Sequence, residues 1–197
     1  MHSRAVELGE LYNIPILVAS SFTNAPGTLI HGGASMEIRN KVRSITHDLN
    51  VAKITLVGVP DKPGIASSIF VPLADAGISV DSIVQNASIE NKTDMTFTVA
   101  KGDLTRAMEL VKPIAESVDA GQCISDLRQG KVSIIGSGML NTPGYAARMF
   151  KALSEAGINI QLITTSEIRI TCLLDECDVK DAIRILHRAF KLEQPEK

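Results

Sequence analysis

The chain is 197 residues long, 45% hydrophobic and 21% charged, with a formal net charge of -2 at pH 7. That length suffices for one or two domains with cores of their own, and the charge balance excludes a global basic field of the kind that holds nucleic acid. Cys123, Cys172 and Cys177 come without a Cys-x-x-Cys pair or histidines at ligand spacing, so neither a disulfide framework nor a metal site is expected, and no apolar run approaches the roughly 20 residues of a membrane span. The opening MHSRAVELGELYN is too charged for a secretory signal, so a reducing cytoplasm is the expected location, with no membrane and no nucleic acid among the partners.

In chain order, residues 2–12 place Ala5, Leu8 and Leu11 or Tyr12 near one face of a predicted helix, which should stop before Asn13 and Pro15. A short strand is predicted at Ile16–Ala19. The following Ser20–Gly33 is dense in Ser, Asn, Pro and Gly and is expected to be turn and loop. One helix, one strand and a loop are too small to bury a core, which suggests the end of a larger domain. Ala34–Asn40 resembles a linker, and Val42–Leu49 has a loose strand-like rhythm.

From Lys53 the sequence reads KITLVGVPDKPGIASSIFVPLADAGISV, and from Lys131 a near-copy returns as KVSIIGSGMLNTPGYAARMFKALSEAGINI. Each copy is an apolar strand, a turn ending in Pro63-Gly64 or Pro143-Gly144, an amphipathic helix, then Ala-Gly and a second strand. A fixed period with one loop insertion marks a duplicated module. In the first copy the helix stripe is Ile65, Ile69, Leu73 and Ala76, followed by strands at Ile78–Gln85 and around Met95, Phe97 and Val99. A helix over Leu104–Ser117 comes next, with Pro113 expected to kink or shorten it, and a strand near Cys123–Leu127 closes the order βαββαβ. In the second copy the stripe is Ala146, Met149, Phe150 and Leu153. Strands follow at Ile158–Ile163 and along Ile168, Ile170, Cys172 and Leu174, and a last helix buries Val179, Ala182, Ile183, Leu186 and Phe190.

After that helix the second module has only a polar tail, residues 192–197, so its sixth element is missing. Val42–Leu49 is the candidate to supply it, which would make the first module (51–129) an insertion inside the second (130–191). The predicted fold class is α+β: two ferredoxin-like modules, each a four-stranded antiparallel sheet with both helices on one face. Uncovered sheet faces and edges point to a homodimer.

The Pro-Gly turns place free backbone N-H groups and the positive end of a helix dipole beside a glycine, which is how a chain binds an anion without a basic side chain. In the first copy Gly64 admits close approach to the N-H groups of Ile65 and Ala66, and Asp61, two residues before Pro63, supplies a carboxylate to the same space. An anion site beside a fixed carboxylate suits a zwitterion, its carboxylate on the helix end and its ammonium on Asp61. Gln85 and Asn86, at the adjacent strand end, add an amide acceptor and donor. The alternative is that Asp61 caps the helix and Pro63 starts it, with no ligand involved. In the second copy Asn141 stands where Asp61 stood, so that site is weaker or differently specific, with Gly144, Tyr145, Ala146 and Ser166 as lining positions or as core and capping residues. No nucleophile and base fall at a catalytic spacing, so no catalytic residue is proposed in this chain.

In the stretches VGVPDKPGIASSIF, SIVQNAS, SIIGSGM and INIQLITTSEIRI, and in HSRAVELGELYNIPILV with SSFTNAPGTLI, the sequence resembles aspartate kinase over essentially its whole length, specifically the regulatory (beta) portion built of paired ACT domains. The family's amino-terminal nucleotide-binding portion, with its Lys-Phe-Gly-Gly signature, has no counterpart here. The resemblance therefore implies a regulatory subunit or fragment, with ATP and Mg needed only by a catalytic (alpha) subunit and no cofactor of its own. It implies threonine and/or lysine as effectors and feedback control of the aspartate amino-acid pathway. Carried over by motif, the first effector site comprises Asp61, Pro63, Gly64, Ile65, Ala66 and Gln85, with Asn159 and Ile160 from the partner chain; Ser88 falls in the QNxS segment where changes relax inhibition. Two alternatives stand beside this reading: a ligand-independent assembly module, or the amino-acid-sensing ACT region of another enzyme or a transcription regulator.

Overall fold

The structure, a computed structural model, describes residues 3–31, 42–86, 90–136 and 143–193. It divides into two units, Met1–Arg39 and Asn40–Lys197. The first contains helix α1 (Ser3–Leu11) and a two-stranded antiparallel hairpin of β1 (Ile16–Val18) and β2 (Thr28–Ile30), Ile16 opposite Ile30. Strand β2 lies inside the stretch expected to be all loop. Its three residues, Thr-Leu-Ile, are β-branched or apolar and pair with the predicted strand at Ile16, which outweighs the turn-rich composition around them. Leu8, Leu11, Tyr12, Ile14, Leu17 and Leu29 all stay exposed in this unit, and Phe22 is 95% exposed. The expected linker, 34–40, lies outside the described residues.

In the second unit the chain forms β3 (Ser44–Pro60), α2 (Ile65–Asp75), β4 (Val80–Gln85), β5 (Lys92–Val99), α3 (Leu104–Ser117), β6 (Gln122–Ile135), α4 (Tyr145–Glu155), β7 (Leu162–Thr165), β8 (Arg169–Asp175) and α5 (Val179–Ala189). The strands make one six-stranded sheet in the order β4-β5-β3-β6-β8-β7, every neighbouring pair antiparallel. Two segments read as separate strands on either side of residue 50 are one strand, β3; likewise the stretches on either side of Gly130 are one strand, β6. Each long strand serves both modules. Residues 52–60 of β3 pair with β5 and with the first half of β6, whereas Ser44–Asp48 pairs with Lys131–Ile135 of the second half. Thus Ser44–Asp48 occupies the position of the second module's missing sixth element, its closing strand. The β3–β6 register shifts at Asp48/Val51 and again at Val51/Lys53, the kind of irregularity that bends a strand and sharpens its twist.

Gly130 is required where the two modules join. A Cβ there would meet the Val179 side chain at 2.4 Å and that of Leu49 at 3.2 Å, so the start of α5 crosses β6 at a distance only glycine allows.

Each module has its own core under its two helices. Ala52, Ile54, Leu56, Met95, Phe97 and Val99 from the strands meet Ile69 and Leu73 of α2 and Ala107 and Val111 of α3. Val132, Ile134, Ile170, Cys172 and Leu174 meet Met149 and Leu153 of α4 and Val179, Ala182 and Leu186 of α5. These are the stripes that helical periodicity selects. Pro113 sits inside α3 without shortening it. The strand expected from Ile158 begins only at Leu162, and Ile168 precedes β8 and is exposed, because Ala156-Gly157 ends α4 in a turn and Ile158 is consumed as a core plug.

Strand alternation leaves a second set of residues on the helix-free faces, and there the two modules touch. Val51, Leu162 and Leu173 form a small cluster with Val84. Lys131 Nζ pairs with the Asp81 carboxylate and donates to Thr98 Oγ1 at 2.9 Å. Gln129, fully buried, donates from Nε2 to Asp126 Oδ2 at 2.8 Å and to Gln161 Oε1 at 3.0 Å.

Candidate functional site

The turn of the first copy follows directly from the end of β3. Gly58, at φ 66°, donates its N-H to Asp94 Oδ1 at 2.8 Å, and the Asp61 N-H donates to Asn91 O at 2.9 Å, so the chain entering the turn is tied to β5 and the loop before it. Gly64 then adopts φ 95°, the left-handed conformation open to glycine, and stands at the N-cap of α2 with no side-chain cap. The expectation that Asp61 caps this helix is thus not met. Its carboxylate makes no hydrogen bond or ion pair with any described residue and lies exposed at the mouth of the turn.

The helix opening is unobstructed, since a Cβ built on Gly64 meets nothing within 4 Å. The Ile65 N-H, one of the two N-H groups expected to be free, is occupied by Lys62 O at 3.3 Å, and Ser68 N-H is held by Gly64 O at 2.9 Å. The free donors are therefore those of Ala66 and Ser67, one residue further along than sequence reasoning placed them, because the turn Lys62–Ile65 closes on itself before the helix begins. Ser67 joins the candidate site on this ground. Ser68 Oγ is turned back to Ile65 O at 2.7 Å and does not fill the opening.

Strand pairing decides what else stands near. Pro60 is opposite Lys92 on β5, and Gln85 on β4 is opposite Met95 of the same strand, so the carboxyl-terminal ends of β3 and β4 lie at one end of the sheet with β5 between them. Gln85 is thus level with Leu56, two strands from β3 and several residues short of the Asp61 turn along it. Thr93 Oγ1 donates to Asn86 O at 2.8 Å and pins the end of β4 next to Gln85. Asn159 and Ile160 precede β7, at the opposite end of the second module from its own turn; Asn159 is exposed, and Ile160 partly packs on the core. Both β4 and β7 are edge strands of the sheet.

The second copy repeats the backbone geometry: Gly144 has φ 105°, no side-chain cap and nothing within 4 Å of a built Cβ. Its lining differs. Tyr145 and Ala146 are half-buried against the module core, Tyr145 stacks on Phe190 with ring centroids 6.3 Å apart, and the Arg148 guanidinium lies 5.7 Å from the same ring. Ser166 is exposed, its N-H held by Arg169 O at 2.7 Å. Asn141 and Ser88 lie outside the described residues.

Among the described residues no group of three or more His, Cys, Asp or Glu side chains could hold a metal ion, and no helix is long and apolar enough to cross a membrane. All three cysteines are free. Burial pushes the Cys172 thiol up to about 12, whereas the exposed Cys177 thiol is raised to about 11 by its hydrogen bond with Asp175 and the negative charges of Asp175 and Asp178. Neither is a nucleophile at neutral pH.

Residues 53–116 and 132–190 each match an ACT domain family. The aspartokinase of Pseudomonas aeruginosa is 43% identical over 194 residues, which is 98% of this chain and 47% of that protein; the chain spans about half the length of the curated relatives it matches. A crystal structure of aspartokinase alpha and beta subunits superposes with a TM-score of 0.72 at 44% identity, over 77% of this chain and 99% of that one. The ligand-free regulatory subunit of aspartate kinase from Thermus thermophilus superposes with the same TM-score at 38% identity, over 76% of this chain and 99% of that one.

Proposed function

The chain belongs to the aspartokinases, as the tandem-ACT regulatory part of that family, and from this premise we propose that it binds a free amino acid, threonine and/or lysine, at the open helix ends and so conveys feedback inhibition to a catalytic (alpha) subunit. The observation that carries the reading is the Gly64 opening. Two free N-H groups border unobstructed space, and Asp61, three residues before Gly64, carries an exposed carboxylate without a partner among the described residues, a combination that suits the two charged ends of a zwitterion. The ligand's carboxylate sits on the Ala66 and Ser67 N-H groups and its ammonium on Asp61. Pro63 and Gly64 shape the turn, and Ile65 lines it.

In this reading the site is completed by a second copy of the chain, whose Asn159 and Ile160 approach along the edge strand β7. The unpaired edges of β4 and β7 support such a homodimer, as do Ile83 and Ile163, which are exposed on those strands. The Gly144 opening is a second site of lower charge complementarity, with Tyr145, Ala146 and Ser166 as its candidate lining and Asn141 three residues before Gly144 in the sequence. Ser88, three residues after Gln85 in the sequence, is the regulation-sensitive position of this reading. The uncovered apolar side chains of the amino-terminal unit, Phe22 above all, support burial against a larger catalytic body, where ATP and Mg would act.

Effector binding stabilises the assembled ACT pair by the difference in its affinity for the assembled and separated arrangements, typically about 1–3 kcal/mol. Titration calorimetry with threonine and lysine, singly and together, tests this. Saturable heat with either, weakened by Asp61→Ala, is expected; no heat at millimolar concentration with either would overturn the sensor reading and leave an assembly module.

A further inference from the structure

Between the helix-free faces of the two modules lies a polar crevice of about 110 Å³; Arg169, at one end of it, accepts the Ser166 N-H through its carbonyl, but none of the residues lining the crevice belongs to either candidate amino-acid site. Its floor belongs to the second module. Thr46, Ser133 and Thr171 are directly opposite one another across β3, β6 and β8, so their hydroxyls form a row on one face. Lys131, two residues before Ser133, and Arg169, two residues before Thr171, extend that face in opposite directions. One wall is the edge strand β4 of the first module, contributed by Asp81 and Ser82. Ser82 has φ 28°, a strained value for a residue with a side chain, at the irregularity between Asp81 and Val84 in the β4–β5 pairing.

Counting donors and acceptors shows what the crevice lacks. The Asp81 carboxylate is taken by Lys131, and Asp48 Oδ1 accepts the Asn50 N-H at 2.8 Å. Ser133 and Thr171 share one hydrogen bond at 2.7 Å, which leaves one hydroxyl hydrogen over. Lys131 uses two of its three ammonium hydrogens, on Asp81 and Thr98. The Arg169 guanidinium makes no hydrogen bond, and no ion pair within 4.0 Å, with any described residue. Lys131, Ser133 and Thr171 are buried, so these donors face the crevice with little competing solvent. The volume is far above the roughly 10–15 Å³ that admits a single water.

We propose that this crevice binds a small oxyanion, phosphate or carboxylate, held by the Arg169 fork and completed by the spare donors of Lys131 and the Ser133–Thr171 hydroxyl pair. The guanidinium supplies the two parallel N-H groups that match such an anion. Because floor and wall come from different modules, and because β4 is the strand that ends at Gln85, occupancy ties the second module to one side of the candidate amino-acid site.

The test is thermal unfolding and calorimetry of the full chain with inorganic phosphate and, separately, acetate, at constant ionic strength set by chloride. A saturable stabilisation by either anion is expected, the responding anion showing whether a tetrahedral or a planar group is preferred. Arg169→Ala, at an exposed rim position, should weaken it by at least about tenfold, the loss expected for one charged hydrogen-bonding group. Arg169→Lys should keep part of the response, and Asp61→Ala should keep all of it, so this site stands or falls apart from the amino-acid site. An equal response in wild type and Arg169→Ala, or none with either anion, overturns the proposal.

Discussion

The ammonium of Lys131 on β6 is paired with the carboxylate of Asp81 on β4, fifty residues earlier in the sequence, and this ion pair joins the helix-free faces of the two modules. The lysine side chain is only 9% exposed while the aspartate is 63% exposed, so the two partners are unequal: one has left water almost completely and the other has not. Removing the aspartate strands a nearly buried ammonium, whereas removing the lysine leaves a carboxylate that water can solvate.

Asp81→Ala should therefore destabilise the chain by about 1–2 kcal/mol, less than a fully buried pair because Asp81 keeps much of its hydration. Lys131→Met, which retains the apolar stem, should cost less. Urea unfolding midpoints at constant slope measure both, and a larger loss for Lys131→Met than for Asp81→Ala would contradict the inequality.

The hydrogen bond from Lys131 holds the Asp81 carboxyl below its usual value, ahead of the opposing effect of partial burial. A carboxylate depressed in the folded state adds stability that is fully present above the unfolded value of about 3.9 and is lost as pH falls through the folded value. The stability difference between wild type and Asp81→Asn should thus be constant from neutral pH to about pH 5 and shrink below about pH 4. Unfolding curves over that range would show it, and a difference that stays constant to low pH would place the contribution elsewhere.

Gly64 holds its turn at φ 95°, which a side chain adopts only with strain. Gly64→Ala should lower stability by about 1 kcal/mol and also weaken any amino acid bound at the helix opening, since the new methyl group enters empty space beside the free N-H groups. Calorimetric titration alongside thermal melts separates the two effects.

Gly130 is constrained by packing. Gly130→Ala forces a methyl group into the buried Val179 side chain and should cost about 1–3 kcal/mol, the range for overpacking. Combining it with Val179→Ala should recover part of that loss, because the cavity left by one change accommodates the other. Additive losses in the double mutant would mean that the strain lies in the backbone.

Cys177 is exposed, yet its thiol is raised to about 11, above all by its hydrogen bond with Asp175. Asp175→Asn should speed its alkylation at pH 8, whereas Cys172, buried in the second core, should react only when the chain unfolds. Mass spectrometry of iodoacetamide-treated protein reads both. Unchanged labelling at Cys177 would remove Asp175 as the cause.

The duplicated pattern of strand, Pro-Gly, helix stripe and Ala-Gly was enough to place the two modules, to choose core residues such as Ile69, Leu73, Met149 and Leu186, and to locate both helix openings, because each of these depends on periodicity and backbone chemistry within a short stretch. The same local rules misplace Thr28–Ile30, because a three-residue strand exists only by virtue of its partner. They also separate what tertiary pairing fuses, since β3 and β6 each run through both modules; the Lys62–Ile65 turn that closes the Ile65 N-H, by contrast, has the Pro63-Gly64 signature, and its hydrogen bond takes up a donor that helix-end chemistry alone counts as free. Lys131 left a faint trace, a lone cation inside the apolar run after Gly130, without indicating its partner. That pairing with Asp81, and the crevice beside it, depend on how far two long strands bend at their irregularities, a property of the whole sheet that no window of sequence contains.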